Sequence, residues 1–129
     1  MSNPRNLLLD THVFLWWQAD DPRLRAAIRT TIANAPQVYI SAASAWEVAI
    51  KIALGKLLIP EPFAAGVLHS GFAPLPITLD HAARVTGLPA LHSDPFDRML
   101  VAQACAEDLT LVTADAQLRV YMVPVLWAG

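Results

Sequence analysis

Cysteine is almost absent: Cys105 stands alone among 129 residues. Without a second thiol the chain has no internal disulfide, which excludes a disulfide-stapled secreted scaffold and fits a reducing compartment. Long apolar runs are missing too. None approaches the roughly 20 residues that cross a bilayer. The opening MSNPRNLLLDTH holds only a leucine triplet before an acid, too short for the apolar stretch of a signal peptide. There is no internal repeat, low-complexity tract or block of like charge. The formal net charge is −2, so no broad basic field advertises nucleic-acid binding. A nuclease needs only a local basic rim and a bound cation, so that class stays open. These absences predict a soluble, cytoplasmic protein with no membrane contact.

What is present is apolar. Hydrophobic residues make up 55% of the chain, enough for one core without staples, and the length predicts a single domain over residues 1–129. The surplus of apolar residues points to an oligomer or partner surface.

Short apolar runs alternate with helical patterns. Leu7-Leu8-Leu9 reads as a strand ending at Asp10. In DDPRLRAAIRTTIANA, Asp21 is placed to cap a helix, with Pro22 at its first position and Leu24, Ile28 and Ile32 on its buried stripe. Val38 to Ile40 reads as a strand, followed by a helix from Ser41 or Ser44 through Leu54, stopped near Gly55. A short helix over Phe63 to Leu68 leads to an extended Leu75-Pro76-Ile77, and another helix covers Asp80 to Thr86. LPALHSDPF reads as a loop, with His92 as a turn residue; Asp94 and Pro95 then start a helix over Phe96 to Glu107. LTLVT is the clearest strand. A short turn or helix in ADAQLRVY precedes a last strand over Val123 to Trp127. Apolar strands separated by helices predict a doubly wound α/β fold, a parallel sheet covered on both faces. Such sheets bind ligands beyond the carboxyl ends of their strands.

Four acids fall at that edge. Asp10 ends the first strand, Glu47 follows the second within two turns, Asp97 lies in the first turn of the helix before LTLVT, and Asp115 comes two residues after that strand. Each has a local explanation. Asp10 and Asp115 can cap helices, Asp97 stands at capping-box distance from Asp94, and Glu47 with Lys51 makes an ordinary i,i+4 pair. Their common placement points further. The Glu47 helix is apolar on nearly all sides, with only Ser44, Glu47 and Lys51 as a polar stripe, so the expectation is a largely buried helix whose acid faces a cleft. Clustered buried carboxylates call for a cation, and oxygen ligands select a hard one, Mg²⁺ or Mn²⁺.

Taken in order, LLLDTHVFLWW, SAASAWEVAIKIALGKL, HSDPFDRMLVAQA and LTLVTADAQLRVY resemble the PIN-domain ribonucleases, most closely the VapC-like toxins of bacterial type II toxin–antitoxin pairs. The likeness runs nearly end to end and covers all four acids. It implies Mg²⁺- or Mn²⁺-dependent endonucleolytic cleavage of RNA, a homodimer, and an antitoxin protein that holds the toxin inactive and often doubles as a DNA-binding repressor. By position, Asp10, Glu47, Asp97 and Asp115 take the family's catalytic and metal-binding roles.

Within that chemistry, Asp10 and Asp97 are the expected primary ligands, and Glu47 orients the attacking water or binds a second ion. Asp115 and Thr113 complete the polar wall. Thr11, Lys51, Arg98 and Thr113 are the candidate substrate contacts. Arg23, Arg25 and Arg29 offer either a phosphate-contacting rim or a solvated face. His12 could contact substrate, but the expectation is a structural histidine. Trp16 and Trp17, adjacent in an apolar run, could stack bases, but are expected in the core or, with Leu57 to Ile59, in a partner groove. The alternatives are a non-catalytic binding module on a PIN-like fold and a receiver-type phosphoacceptor domain. The latter usually carries paired acids after its first strand and a lysine after its last, whereas Asp10 stands alone here and the chain finishes VLWAG. A DxD phosphatase fails at His12, where its second aspartate belongs.

Overall fold

In the computed structural model, residues 6–89, 94–121 and 123–129 are described; His92 lies outside them. Five short strands, β1 (Leu7–Leu9), β2 (Val38–Ser41), β3 (Ala73–Leu75), β4 (Thr110–Thr113) and β5 (Val125–Trp127), form one sheet. Its order is β3-β2-β1-β4-β5 and every pairing is parallel. Chain direction across the sheet reverses at β1, which makes the carboxyl end of β1 the topological switch point. There Leu9 pairs with Ile40 on one side and Val112 on the other.

The helices are α1 (Thr11–Ala19), α2 (Ala26–Asn34), α3 (Ala42–Ala53), α4 (Phe63–His69), α5 (Leu79–Thr86) and α6 (Pro95–Glu107), with a 3-10 turn over Ala116–Val120. They cover both faces of the sheet. Leu7 and Leu9 point into one core with Phe14, Ile28, Ile32 and Val67 from α1, α2 and α4. Leu8 points into the other with Ala43, Leu100, Val101 and Ala104 from α3 and α6. The period-2 alternation of a strand thus serves two cores at once, and β1 has no solvated face.

Three boundaries depart from the sequence reading. Asp21 does not cap α2. Its carboxylate turns back on the Arg23 amide at 2.9 Å and closes a local turn, a competing bond that aspartate readily makes. α2 therefore begins at Ala26, although Leu24, Ile28 and Ile32 are buried as expected. β3 lies two residues before Leu75-Pro76-Ile77. It tolerates Pro74 because it is an edge strand, where a missing amide costs no ladder bond. β5 starts at Val125, just after Pro124.

The third helix overturns an expectation more fully. α3 is not buried on nearly all sides: Trp46 and Leu54 are each 62% exposed, and Ile50 and Ile52 also face solvent. Its buried face carries Ala43, Ser44, Glu47 and Val48. The polar stripe turns inward and the bulky apolar residues turn outward.

Candidate metal centre

The carboxyl edge gathers polar side chains because the strands stop there together. Asp10 follows Leu9 directly; its amide bonds the Val112 carbonyl at 3.0 Å and its Oδ1 accepts from the Val13 amide at 2.8 Å. Asp10 is thus the N-cap of α1, so the local role foreseen for it is real. Its other oxygen, Oδ2, accepts from the Thr113 hydroxyl at 2.5 Å. Both oxygens are tied, yet each carboxylate oxygen has a second lone pair. Asp10 is 4% exposed. Burial pushes its carboxyl above the usual range; the bonds from Thr113 and Val13 and the nearby His12 pull it down, and the Asp115 charge pushes it up again. Desolvation is the largest of these causes.

Asp115 caps the 3-10 turn through the Gln117 amide at 2.9 Å, and its own amide bonds Thr113 Oγ1 at 3.0 Å. One hydroxyl therefore links the two acids. Glu47 lies 8% exposed on the inner face of α3, with Lys51 Nζ 3.6 Å away. One turn earlier, Ser44 accepts from the Thr11 hydroxyl at 2.9 Å, fixing that face against the start of α1. Asp97 stands in the first turn of α6, its amide 3.3 Å from Asp94 Oδ1. The neighbouring Phe96 packs edge-on against Trp46 at 5.2 Å, which holds this turn beside α3. Among the described residues, however, no three His, Cys, Asp or Glu side chains stand close enough to form a finished cage for an ion. The Asp115 charge is felt at Asp10, and α3, which carries Glu47, packs against the start of α1 and the first turn of α6.

The candidate substrate contacts separate. Thr11 is buried and its hydroxyl is spent on Ser44. Thr113 is fully buried and serves Asp10. Arg98 turns to the end of α5, donating to the carbonyls of Val85, Leu88 and Pro89 at 2.9 to 3.4 Å, so it caps that helix end. Lys51 is half-exposed beside Glu47. His12 is exposed, against the expectation of a structural histidine, and sits close enough to Asp10 to lower its pKa. Trp17 packs on Phe72 at 5.3 Å, whereas Trp16 faces a groove shared with Leu57, Leu58 and Ile59.

Sequence reasoning missed a buried polar chain behind the site. Ser41 caps α3 and donates to Gln103 Oε1 at 2.5 Å. The Gln103 amide approaches His81 Nδ1 at 3.4 Å, and His81 Nε2 meets Glu107 at 3.1 Å. A glutamine inside the apolar pattern of α6 was the available signal, since buried polar groups must find partners.

A parallel sheet doubly wound about β1, with acidic side chains at its carboxyl edge, places the chain among the α/β domains that bind ligands beyond their strand ends. The chain belongs to the PIN domain family, whose pattern matches residues 7–122. It is 32% identical to Ribonuclease VapC22 of Mycobacterium tuberculosis over 126 residues, 92% of this chain and 93% of that protein. Solved structures share the fold, two of them as follows. VapBC2 from Rickettsia felis, bound to a promoter DNA fragment, superposes with a TM-score of 0.72 at 14% identity, covering 96% of this chain and 99% of that one. A toxin–antitoxin complex from Klebsiella pneumoniae gives 0.68 at 20% identity, covering 95% and 98%.

Proposed function

We propose that this protein is a metal-dependent endoribonuclease, the toxin of a toxin–antitoxin pair. The observation that carries the reading is Asp10: a desolvated carboxylate at the switch point, bonded by a threonine and a backbone amide, with no cationic side chain bonded to it among the described residues. A buried anion of that kind is costly until a cation joins it, so the residues present fit a hard divalent ion. The likeness to a ribonuclease over nearly the full length supports the same reaction.

Asp10 and Asp97 are the proposed ligands, with Asp115 beside them and Glu47 placed to orient water. Mg²⁺ or Mn²⁺, when bound, supplies an activated water and neutralises phosphate charge. The chain's own residues do the rest. Thr113 holds Asp10 in one rotamer, the Thr11–Ser44 bond keeps Glu47 turned inward, and Lys51 offsets the Glu47 charge while facing solvent. The apolar residues left outside, among them Trp46, Leu54 and Leu58, support a homodimer and an antitoxin partner. Among the described residues no helix is long and apolar enough to cross a membrane, in keeping with a cytoplasmic place of action. The test is direct: purified protein cuts RNA in Mn²⁺ and stops in chelator. RNA left intact at all metal concentrations overturns the reading.

A further inference from the structure

Beside the carboxylate edge, α1 and the segment after α3 enclose a groove of about 320 Å³. It is lined by His12, Trp16, Arg23, Lys51, Lys56 and Leu58, among others. Both lysines of the chain stand here, although the protein as a whole is acidic. Gly55 brings them together. With φ of +70° it closes α3 in the left-handed conformation, and the Lys56 amide returns to the Lys51 carbonyl at 2.9 Å. Lys51 is matched by Glu47, whereas Lys56 has no ion pair among the described residues.

Arg23 adds a planar surface. Asp21 grips its guanidinium through Nε at 3.1 Å and Nη2 at 2.7 Å, and the guanidinium carbon sits 5.1 Å above the Trp16 ring. The result is a layered platform, indole below and guanidinium above, that is already held in place and 68% exposed at the arginine. Nucleic-acid bases stack on such planes. Two of its lining residues neighbour the acids: His12 follows Asp10 by two residues on α1, and Lys51 Nζ stands 3.6 Å from Glu47.

We propose that this groove seats one strand of single-stranded RNA next to the cleavage centre, a base stacked on the Arg23–Trp16 platform and phosphates on Lys56 and Lys51. The inference rests on the ribonuclease reading for its substrate class. A duplex cannot use the platform, because its bases are already stacked, so the groove selects unpaired segments.

The test is fluorescence anisotropy with a labelled single-stranded RNA dodecamer of mixed sequence, in chelator so that cleavage plays no part. Arg23→Lys keeps the charge and loses the plane; it is expected to bind about tenfold more weakly with an unchanged salt slope. Lys56→Gln, at an exposed position, is expected to lower the salt slope by about 0.7. Wild-type binding by both variants, or no binding by the wild type, overturns the proposal. If a protein segment occupies the groove instead, RNA affinity is the same in all three proteins, and the proposal also falls. A parallel cleavage assay in Mn²⁺ separates the two readings. Binding with the expected losses but no cleavage sinks the ribonuclease and leaves the groove; cleavage with unchanged variants sinks the groove alone.

Discussion

Thr113 donates its hydroxyl to Asp10 at 2.5 Å across a sequence separation of 103 residues. The bond exists because β1 and β4 pair in register, Leu9 with Val112, so the next residue on each strand meets at the carboxyl edge. Supporting bonds of this kind commonly contribute 10- to 100-fold to metal affinity. Thr113→Val keeps the shape and removes the donor, and we expect Mn²⁺ affinity to fall by about tenfold or more. Calorimetric titration of both proteins checks it, and equal affinities would make the bond incidental.

Asp97→Asn is expected to lower the rate of RNA cleavage by at least about two orders of magnitude while the fold persists, given what one metal ligand contributes. Wild-type turnover in the variant would remove Asp97 from the ligand set.

Arg98 supplies a contrast one residue away. Because it caps the carbonyls at the end of α5, Arg98→Ala should cost about 1–3 kcal/mol of stability and leave the cleavage rate of the folded protein unchanged. Urea unfolding and kinetics on the same sample distinguish this from a phosphate contact, which would show the reverse pattern.

Asp10 both caps α1 and carries a desolvated charge, so its substitution has a signed consequence. Its folded pKa is raised, so the folded state holds the proton more tightly than the unfolded chain. Ionised Asp10 therefore opposes folding above the raised pKa. That penalty disappears as pH falls through the folded value, and is gone below the ordinary aspartate value of about 3.9. Asp10→Asn keeps a capping oxygen and loses the charge. The metal-free variant should be the more stable at neutral pH, with the gap narrowing on acidification. Saturating Mn²⁺ should reverse the order, since wild type gains about 2.7 kcal/mol at a hundredfold excess over Kd. Melting curves that respond alike to metal would leave Asp10 as a cap only.

The outward face of α3 bears on assembly. We expect the wild type to sediment as a dimer at micromolar concentration; a monomer across that range would remove the homodimer.

The positions of the acids were legible in the sequence, because strand ends in a parallel sheet are marked by the step from apolar run to polar residue. Asp10 after Leu9 and Asp115 after Thr113 announced themselves that way. The strands, α3 and α6 were legible as well, from Ser41 and Asp94 as caps and Gly55 as a stop. That Trp46, Ile50 and Ile52 of α3 face solvent was not. Its composition is apolar on most sides, and which stripe is buried depends on whether Ser44 and Glu47 find polar partners inside. Thr11 and Lys51 provide them.

By itself, then, the sequence determined the alternation of strands and helices and the family, since these follow from local pattern and short-range chemistry. Tertiary structure decided the pairings: Asp10 with Thr113, Arg98 with the end of α5, Arg23 over Trp16, and Thr11 with Ser44. Each joins residues whose meeting is set by sheet register and helix packing, and no window along the chain contains the energy of a contact whose second partner lies in another element.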